Sequence, residues 1–411
     1  MERSPALIDP YNRARQAGFE AWGDSWIPSL YAVAPGRVEV LGNHVDYNGG
    51  PVLAAAIDRF TLVLAEETGT EDGVVEVAFA DRNSAEPVRV APGDPAGWRN
   101  RSSSQRPGDF VRGAVASLLG RGKPIGAARC VVASSVPIGV GVSSSAALCV
   151  AMTLALCQEP LEFEELVLIA QEAEHRAGTP CGTMDQSASI AGGMIRFDGS
   201  NLSPRQLDPD LEGHAFLVID SGVKRSLVNS SYPRRVEECR QVLARINVFL
   251  GTAFANLASV TLRELEQVLK DQHSGIDPVL LLRARHVVTE IERVNHGEAA
   301  LVSRDWLLFG RLMTASGRSS ATDYEISHVV VEDLVQQVTA LPGVLGARMM
   351  GGGEGGSLIA LIEPDDRGAI RERAESVVSR YALDGTEPRL VHRFNFAPGA
   401  RRGRIQDILV S

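Results

Sequence analysis

The stretch VPIGVGVSSSAALCVA, Val136–Ala151, runs from an apolar strand end through two glycines and three serines into small and apolar residues that read as a buried helix. Glycines let backbone approach a ligand closely, and the free N–H groups at a helix start, with the positive end of the helix dipole, suit a phosphate. The serine hydroxyls can donate to phosphate oxygens, and one of them can ligate Mg2+. No lysine lies in the stretch, so it is not the G-x-x-x-x-G-K-[ST] loop. Taken alone, it equally fits a flexible loop ending in a serine N-cap.

The flanking residues supply context. Upstream, ARCVVASSVPIG reads as the strand that feeds the loop, and GDFVRGAVASLLGRG as a helix stopped by glycine. From residue 31 to about 95 the pattern is mostly period-two (RVEVL, FTLVLAEE, VVEVAFAD, PVRVAP), broken by Gly, Asp and Asn turn residues. Downstream, FEELVLIAQEAEHRAG is a second helix with a glycine stop, and the glycine-rich passage GGMIRFDGSNLSPRQL is the expected boundary between an N-terminal domain, 1–203, and a C-terminal domain, 204–411. The second half opens with the strand HAFLVIDSG and continues in long helical segments. It then gives strand, glycine loop and strand in GVLGARMMGGGEGGSLIALI, a helix in IRERAESVVSRYAL, and RLVHRFNF. Strands and helices are partly segregated in each half, which favours an α+β fold over a doubly wound parallel sheet. The chain shows no internal repeat and no low-complexity segment.

Composition narrows the class. At 411 residues the chain exceeds what one core usually serves. Its 44% hydrophobic and 22% charged residues are ordinary for a globular protein, and no run approaches the roughly eighteen apolar residues of a membrane span. A net charge of −10 disfavours nucleic acid or an anionic membrane as partner. The five cysteines are scattered without a C-x-x-C pair, and the N-terminus carries charges of both signs with no signal-peptide pattern, so a cytoplasmic protein with reduced thiols is expected.

Three further stretches carry candidate chemistry. GRVEVLGNHVDYNGG, Gly36–Gly50, runs from an alternating strand into Asn43, His44 and Asp46, three hydrogen-bonding side chains aimed at one place before a tight turn. GTPCGTMDQSASIAGG puts Asp185 in a short glycine-flanked loop after the helix that carries Glu174. A lone loop Asp is usually a cap or turn former, and a lone helical Glu a solvated face. Phosphoryl transfer to a hydroxyl, however, needs a carboxylate beside the attacking oxygen and a metal near the β- and γ-phosphates, roles that Asp185 and Glu174 can fill. GGGEGG, Gly351–Gly356, lies between apolar strands; it suits close approach of backbone to a ligand or another loop, with a mobile surface turn as the alternative.

Together these segments resemble a known family. PGRVEVLGNHVDYNGG resembles the galactokinase signature, PIGVGVSSSAA the phosphate loop of the GHMP small-molecule kinases, and CGTMDQ the segment bearing their catalytic aspartate. DSGVKRSLVNSSYPRRVEEC, ATDYEIS and GARMMGGGEGGSLIALI follow in the family's order, so the resemblance runs from about residue 30 to about 360. It implies a two-domain GHMP kinase architecture: an N-terminal domain like domain 2 of ribosomal protein S5, and a ferredoxin-like C-terminal domain, with ATP and sugar meeting in the cleft between them.

The resemblance also implies roles. Gly139, Val140, Gly141, Val142, Ser143, Ser144 and Ser145 would hold the ATP phosphates, and Ser145 and Glu174 would ligate Mg2+. Asp185 would take or orient the proton of the anomeric hydroxyl, with Arg37 beside it. Asn43, His44, Asp46, Gly182 and Tyr232 would bind the sugar, whose crowded hydroxyls account for the polar cluster at the end of the first strand. The partners so implied are ATP and a monosaccharide, with no nucleic acid and no membrane, and the chain is expected as a monomer or weak homodimer.

Some residues depart from the family pattern. Asn43 stands where galactokinases carry a glutamate that contacts the C6 hydroxyl, so a sugar altered at C6, galacturonate or L-arabinose, is an alternative acceptor. The segment before Asp185 is one residue short, Glu354 replaces a usual phenylalanine, and Gly317 a common histidine. A galactokinase-like sugar sensor without turnover is the alternative outside the enzyme class; the retention of Arg37, Ser145, Glu174 and Asp185 argues against it.

Overall fold

A computed structural model describes residues 5–69, 73–82, 86–92, 107–223, 231–271, 274–365, 368–381 and 391–408. Residues 224–230 of the segment DSGVKRSLVNSSYPRRVEEC, and the end of the helix expected in IRERAESVVSRYAL, lie outside this set. The first half comprises helix α1 (Pro5–Trp22) and strands β1 (Leu30–Leu41), β2 (Pro51–Glu67), β3 (Val75–Phe79) and β4 (Val88–Val90). Helix α2 (Pro107–Gly120), strand β5 (Ala128–Ser134), helices α3 (Ser144–Leu156), α4 (Phe163–Arg176) and α5 (Met184–Ala191), and strands β6 (Met194–Asp198) and β7 (Arg205–Leu207) follow. The second half begins at β8 (Ala215–Asp220). It continues through α6 (Tyr232–Leu250), α7 (Leu262–Lys270), α8 (Pro278–Ser303), α9 (Trp306–Thr322) and α10 (Val329–Thr339) to β9 (Val344–Met349), β10 (Ser357–Ile362), α11 (Ala369–Ser379), β11 (Val391–Phe394), β12 (Arg401–Arg404) and α12 (Ile405–Ile408).

Two sheets organise these elements. The larger runs β12-β1-β2-β5-β3-β4, with β6 paired to β2 and β7 to β6, and all its pairings are antiparallel except β3 with β5. The smaller runs β11-β8-β10-β9, antiparallel throughout. Its chain order, a strand, a helical excursion, two strands, a helix and a strand, is the β-α-β-β-α-β pattern of a ferredoxin-like unit. The α+β reading holds for both halves. Arg401–Arg404, expected with the second half, returns to pair with β1 and so belongs to the first sheet.

The period-two segments do form strands, but β1 is buried along its whole length rather than on one face. The cause lies in its polar positions: Arg37 and Glu39, which would face water on an ordinary half-exposed strand, instead face a cavity between the two halves. Helix α3 is small and apolar all round and sits within the main core cluster, as a helix without a polar face must. Gly317 also finds its reason here. A Cβ on it would come within 2.9 Å of the Arg348 Cβ, so α9 packs directly on β9 at a place where no histidine would fit.

Candidate functional site

The turn after β1 is held from beneath by α8. Glu290 Oε1 accepts the backbone N–H of Gly42 and of Asn43, both at 3.1 Å, and the Ser316 hydroxyl at 2.5 Å, while Arg293 Nε donates to Oε2 at 2.6 Å. One turn earlier on the helix, a His286 ring nitrogen lies 2.9 Å from the Asn43 carbonyl. Burial alone would raise the Glu290 pKa, but the charges of Arg293, His286 and Arg348 outweigh it and bring the carboxyl down to about 2. Burial pushes His286 down to about 4. Neither residue was expected from the sequence. The available signal was a set of polar residues, Arg283, His286 and Glu290, at three- and four-residue spacing on the stripe of α8 that otherwise buries Val287 and Val294.

Above this support lies a cavity of about 650 Å3. At one end Arg37 Nε and Nη2 donate to Asp185 Oδ1 at 2.8 and 2.6 Å, and the Ser143 hydroxyl donates to Asp185 Oδ2 at 2.6 Å. Asp185 is not in a loop, as the flanking glycines suggested. It is in the first turn of α5, where the free N–H groups and positive dipole end favour a carboxylate. His44, Asp46, Gly182 and Tyr232 line the same cavity. The His44 Nδ1 lies 2.9 Å from the Tyr47 hydroxyl, and the ring packs against Tyr232 with centroids 5.4 Å apart. Burial, with the nearby Glu39 and Asp185 charges, pushes Asp46 up to about 7, so near neutral pH its carboxyl is poised to donate or accept a hydrogen bond.

Gly139, Gly141, Ser143, Ser144 and Ser145 line the adjoining part of the cavity. Gly139 and Gly141 have φ of 81° and 84°, and Ser143 turns into α3 at φ 58°. Val140 and Val142, grouped with these residues from the sequence, point their side chains into the main core instead. Glu174 is buried, and its Oε2 accepts from the Gln186 amide. Burial and the Asp185 charge push its carboxyl up to about 7, against a hydrogen bond with Ser145. One carboxylate and one hydroxyl are a sparse donor set, and no cluster of three metal-ligating side chains occurs among the described residues. Such a set fits Mg2+ that arrives with a nucleotide, since this ion keeps waters and phosphate oxygens as most of its ligands.

Asn43 is the exception among the expected site residues. It is fully buried and does not line the cavity. Both amide hydrogens are used, by Glu39 Oε1 at 2.9 Å and the Gly351 carbonyl at 3.0 Å, and its Oδ1 accepts the Ser320 hydroxyl at 2.9 Å. Neither amide hydrogen is left for a sugar hydroxyl, and burial keeps the remaining lone pair of Oδ1 from the cavity. The Gly351–Gly356 segment approaches another loop closely, as Gly353 passes so near Ile326 that a Cβ would fall 2.5 Å from its carbonyl oxygen, and Gly351 and Gly352 line the cavity. Glu354 accepts the Ser231 N–H at 3.1 Å and so caps the start of the helix that carries Tyr232.

Residues 19–67 match the galactokinase galactose-binding signature, 109–193 the GHMP kinases N terminal domain and 298–379 the GHMP kinases C terminal domain. Galactokinase from Homo sapiens is 35% identical over 372 residues, spanning 88% of this chain and 90% of that one. The chain belongs to the galactokinase family. Galactokinase from Thermotoga maritima is 33% identical over 360 residues, 85% of this chain and 95% of its own. Lactococcus lactis galactokinase, solved in complex with galactose, superposes with a TM-score of 0.84 at 26% identity, covering 95% of this chain and 99% of that one. A mevalonate kinase shares the fold at a TM-score of 0.62 and 16% identity. As a galactokinase family member the chain is a kinase that phosphorylates a sugar hydroxyl.

Gly182 gives a local test of the site. A Cβ there would fall 2.1 Å from Asp46 Oδ2, so Gly182→Ala must displace that carboxylate. The expected result is a rise in KM for the sugar of about tenfold, as one hydrogen bond to a charged or polar partner is lost, with KM for ATP unchanged. Steady-state kinetics with each substrate varied in turn would check it, and an equal effect on both constants would count against the placement of the sugar beside Asp46.

Proposed function

We propose that the chain transfers the γ-phosphoryl group of ATP to the anomeric hydroxyl of galactose in the cytoplasm, with Mg2+ bound alongside the nucleotide. The observation that carries this reading is the Arg37–Asp185–Ser143 cluster at the junction between the glycine-serine loop and the polar end of the cavity. A hydroxyl placed against Asp185 would meet a carboxylate already fixed from two sides, which supplies orientation and a proton acceptor. Arg37, held also by the Gly141 carbonyl at 3.0 Å, would offset charge on the phosphoryl group in transit. Gly139, Gly141 and Ser143–Ser145 would hold the phosphates with backbone and hydroxyl donors. Ser145 and Glu174 would hold Mg2+, which neutralises phosphate charge when bound. His44, Asp46, Gly182 and Tyr232 would hold the ring hydroxyls.

The geometry of Asn43 bears on the acceptor. With that amide spent inside the protein, the reason to expect a C6-altered sugar falls away, and the carboxylates lining this region, Glu39 and Asp46, disfavour a uronate. ADP release with Mg·ATP would be measured against galactose, galacturonate, L-arabinose, glucose, N-acetylgalactosamine and mevalonate. Turnover is expected with galactose and at least tenfold less with galacturonate, about one charge repulsion's worth. Silence across the panel with galactose binding still detectable by calorimetry would overturn the kinase reading in favour of a sensor.

A further inference from the structure

Glu39 stands two residues beyond Arg37 on β1, on the same face of the strand, and lines the same cavity. Its Oε1 is claimed twice, by Arg348 Nη2 at 2.6 Å and by Asn43 Nδ2 at 2.9 Å. Arg348 is itself fully buried and anchored by the Val40 carbonyl at 3.1 Å, and Asn43 by Ser320 and Gly351. The carboxylate is therefore rigid and its charge balanced. Its Oε2 has no hydrogen-bond partner among the described residues, yet it is not among the sealed polar atoms, so it keeps access to the cavity.

We infer that Glu39 is a specificity-determining residue whose Oε2 accepts a hydrogen bond from a hydroxyl on the side of the sugar remote from the anomeric centre, at C4 or C6. The inference rests on the galactose reading given above. Two residues along a strand span about 6.6–6.8 Å, and a hexose ring with its anomeric oxygen at Asp185 reaches that far across. The part played by Asn43 follows, since together with Arg348 it holds Oε1 and so leaves the other oxygen pointing at the ligand. The acidic group absent from position 43 is supplied from position 39, and Asn43 acts as its positioning residue.

The test uses kcat/KM for galactose and for its 2-, 4- and 6-deoxy analogues in the wild type and in Glu39→Gln. The glutamine can keep an oxygen toward Arg348 and Asn43 while turning the cavity-facing acceptor into an NH2 donor. In the wild type, the 4-deoxy or the 6-deoxy sugar should lose about ten- to hundredfold, the usual range for a hydrogen bond to a charged group. In Glu39→Gln, galactose itself should lose about tenfold and the penalty for that same deoxy sugar should shrink to within about threefold. The 2-deoxy penalty should be the same in both proteins; a merely structural role for Glu39 would leave every penalty unchanged, so the selective shrinkage at C4 or C6 is the discriminating readout. Unchanged deoxy penalties across the whole series would overturn the inference. Should Glu39→Gln not fold, Glu39→Asp keeps the charge for Arg348 but withdraws the oxygen by one methylene, and the same ratios are read. Failure of the wild type to phosphorylate galactose at all would overturn the functional reading first, and this inference with it.

Discussion

Replacing Asp185 by asparagine is expected to lower kcat by about 10²- to 10⁴-fold, the range for losing a positioned acid–base group, while sugar affinity stays within about threefold. The expectation follows from how completely the carboxylate is committed. Oδ1 takes two N–H groups of Arg37 and Oδ2 takes the Ser143 hydroxyl, so all the nearby partners are donors. An amide offers one oxygen and one NH2. With its oxygen turned to Arg37 it can donate to the Ser143 oxygen, but the anionic acceptor for the hydroxyl proton is gone. If the transition state is loose, proton transfer is late and the charge matters less, but the misplaced hydroxyl still lowers the rate. Single-turnover ADP formation together with calorimetric sugar binding separates these terms. A kcat within tenfold of wild type would exclude an essential role for Asp185, whereas lost sugar binding would show that it holds the substrate more than it activates it.

The sequence conveyed much of this. Strand and helix periodicities placed the glycine-serine loop at a strand-to-helix junction, and β5 and α3 form that junction. Three local features were not legible. Asp185 lies between glycines, which signal a loop, yet the small residues after it let α5 start at Met184. Val140 and Val142 alternate with glycines in a loop that looks uniform in sequence, and only the fold shows that they turn inward while the glycines face the cavity. Asn43, expected at the sugar, turns away from the cavity because a side chain's direction after a strand end depends on the turn. His44 sits at φ 60° immediately after Asn43, and the chain reverses there. Long-range support was the least legible part, since Glu290 lies 247 residues from the Asn43 N–H it accepts.

The Glu290 support of the turn after β1 yields the largest expected effect on stability. Glu290→Ala would leave two buried backbone N–H groups, the Ser316 hydroxyl and the Arg293 guanidinium without their acceptor. Removing one partner of such a buried charged network costs about 3–5 kcal/mol. The loss should depend on pH. The Glu290 pKa is depressed from 4.5 to about 2, so the stability that its charge contributes is fully present above 4.5 and is lost as pH falls from 4.5 toward 2. His286, depressed from 6.5 to about 4, adds acid sensitivity of the same sign between those values. Asp46 and Glu174 act oppositely: raised to about 7, they make the empty protein more stable as pH falls from 7 toward their unfolded values of 3.8 and 4.5. The total stability curve is therefore a compromise, and only the difference between wild type and Glu290→Ala isolates the clamp. Urea unfolding at pH 7, 5, 4 and 3.5 should show that difference steady at the upper two values and shrinking at the lower two. A difference below about 1 kcal/mol at pH 7 would mean that water replaces Glu290 at the turn, as at an ordinary exposed site. A full difference that persists unchanged to pH 3.5 would mean that the hydrogen-bonded shape, rather than the charge, holds the turn after β1 on α8.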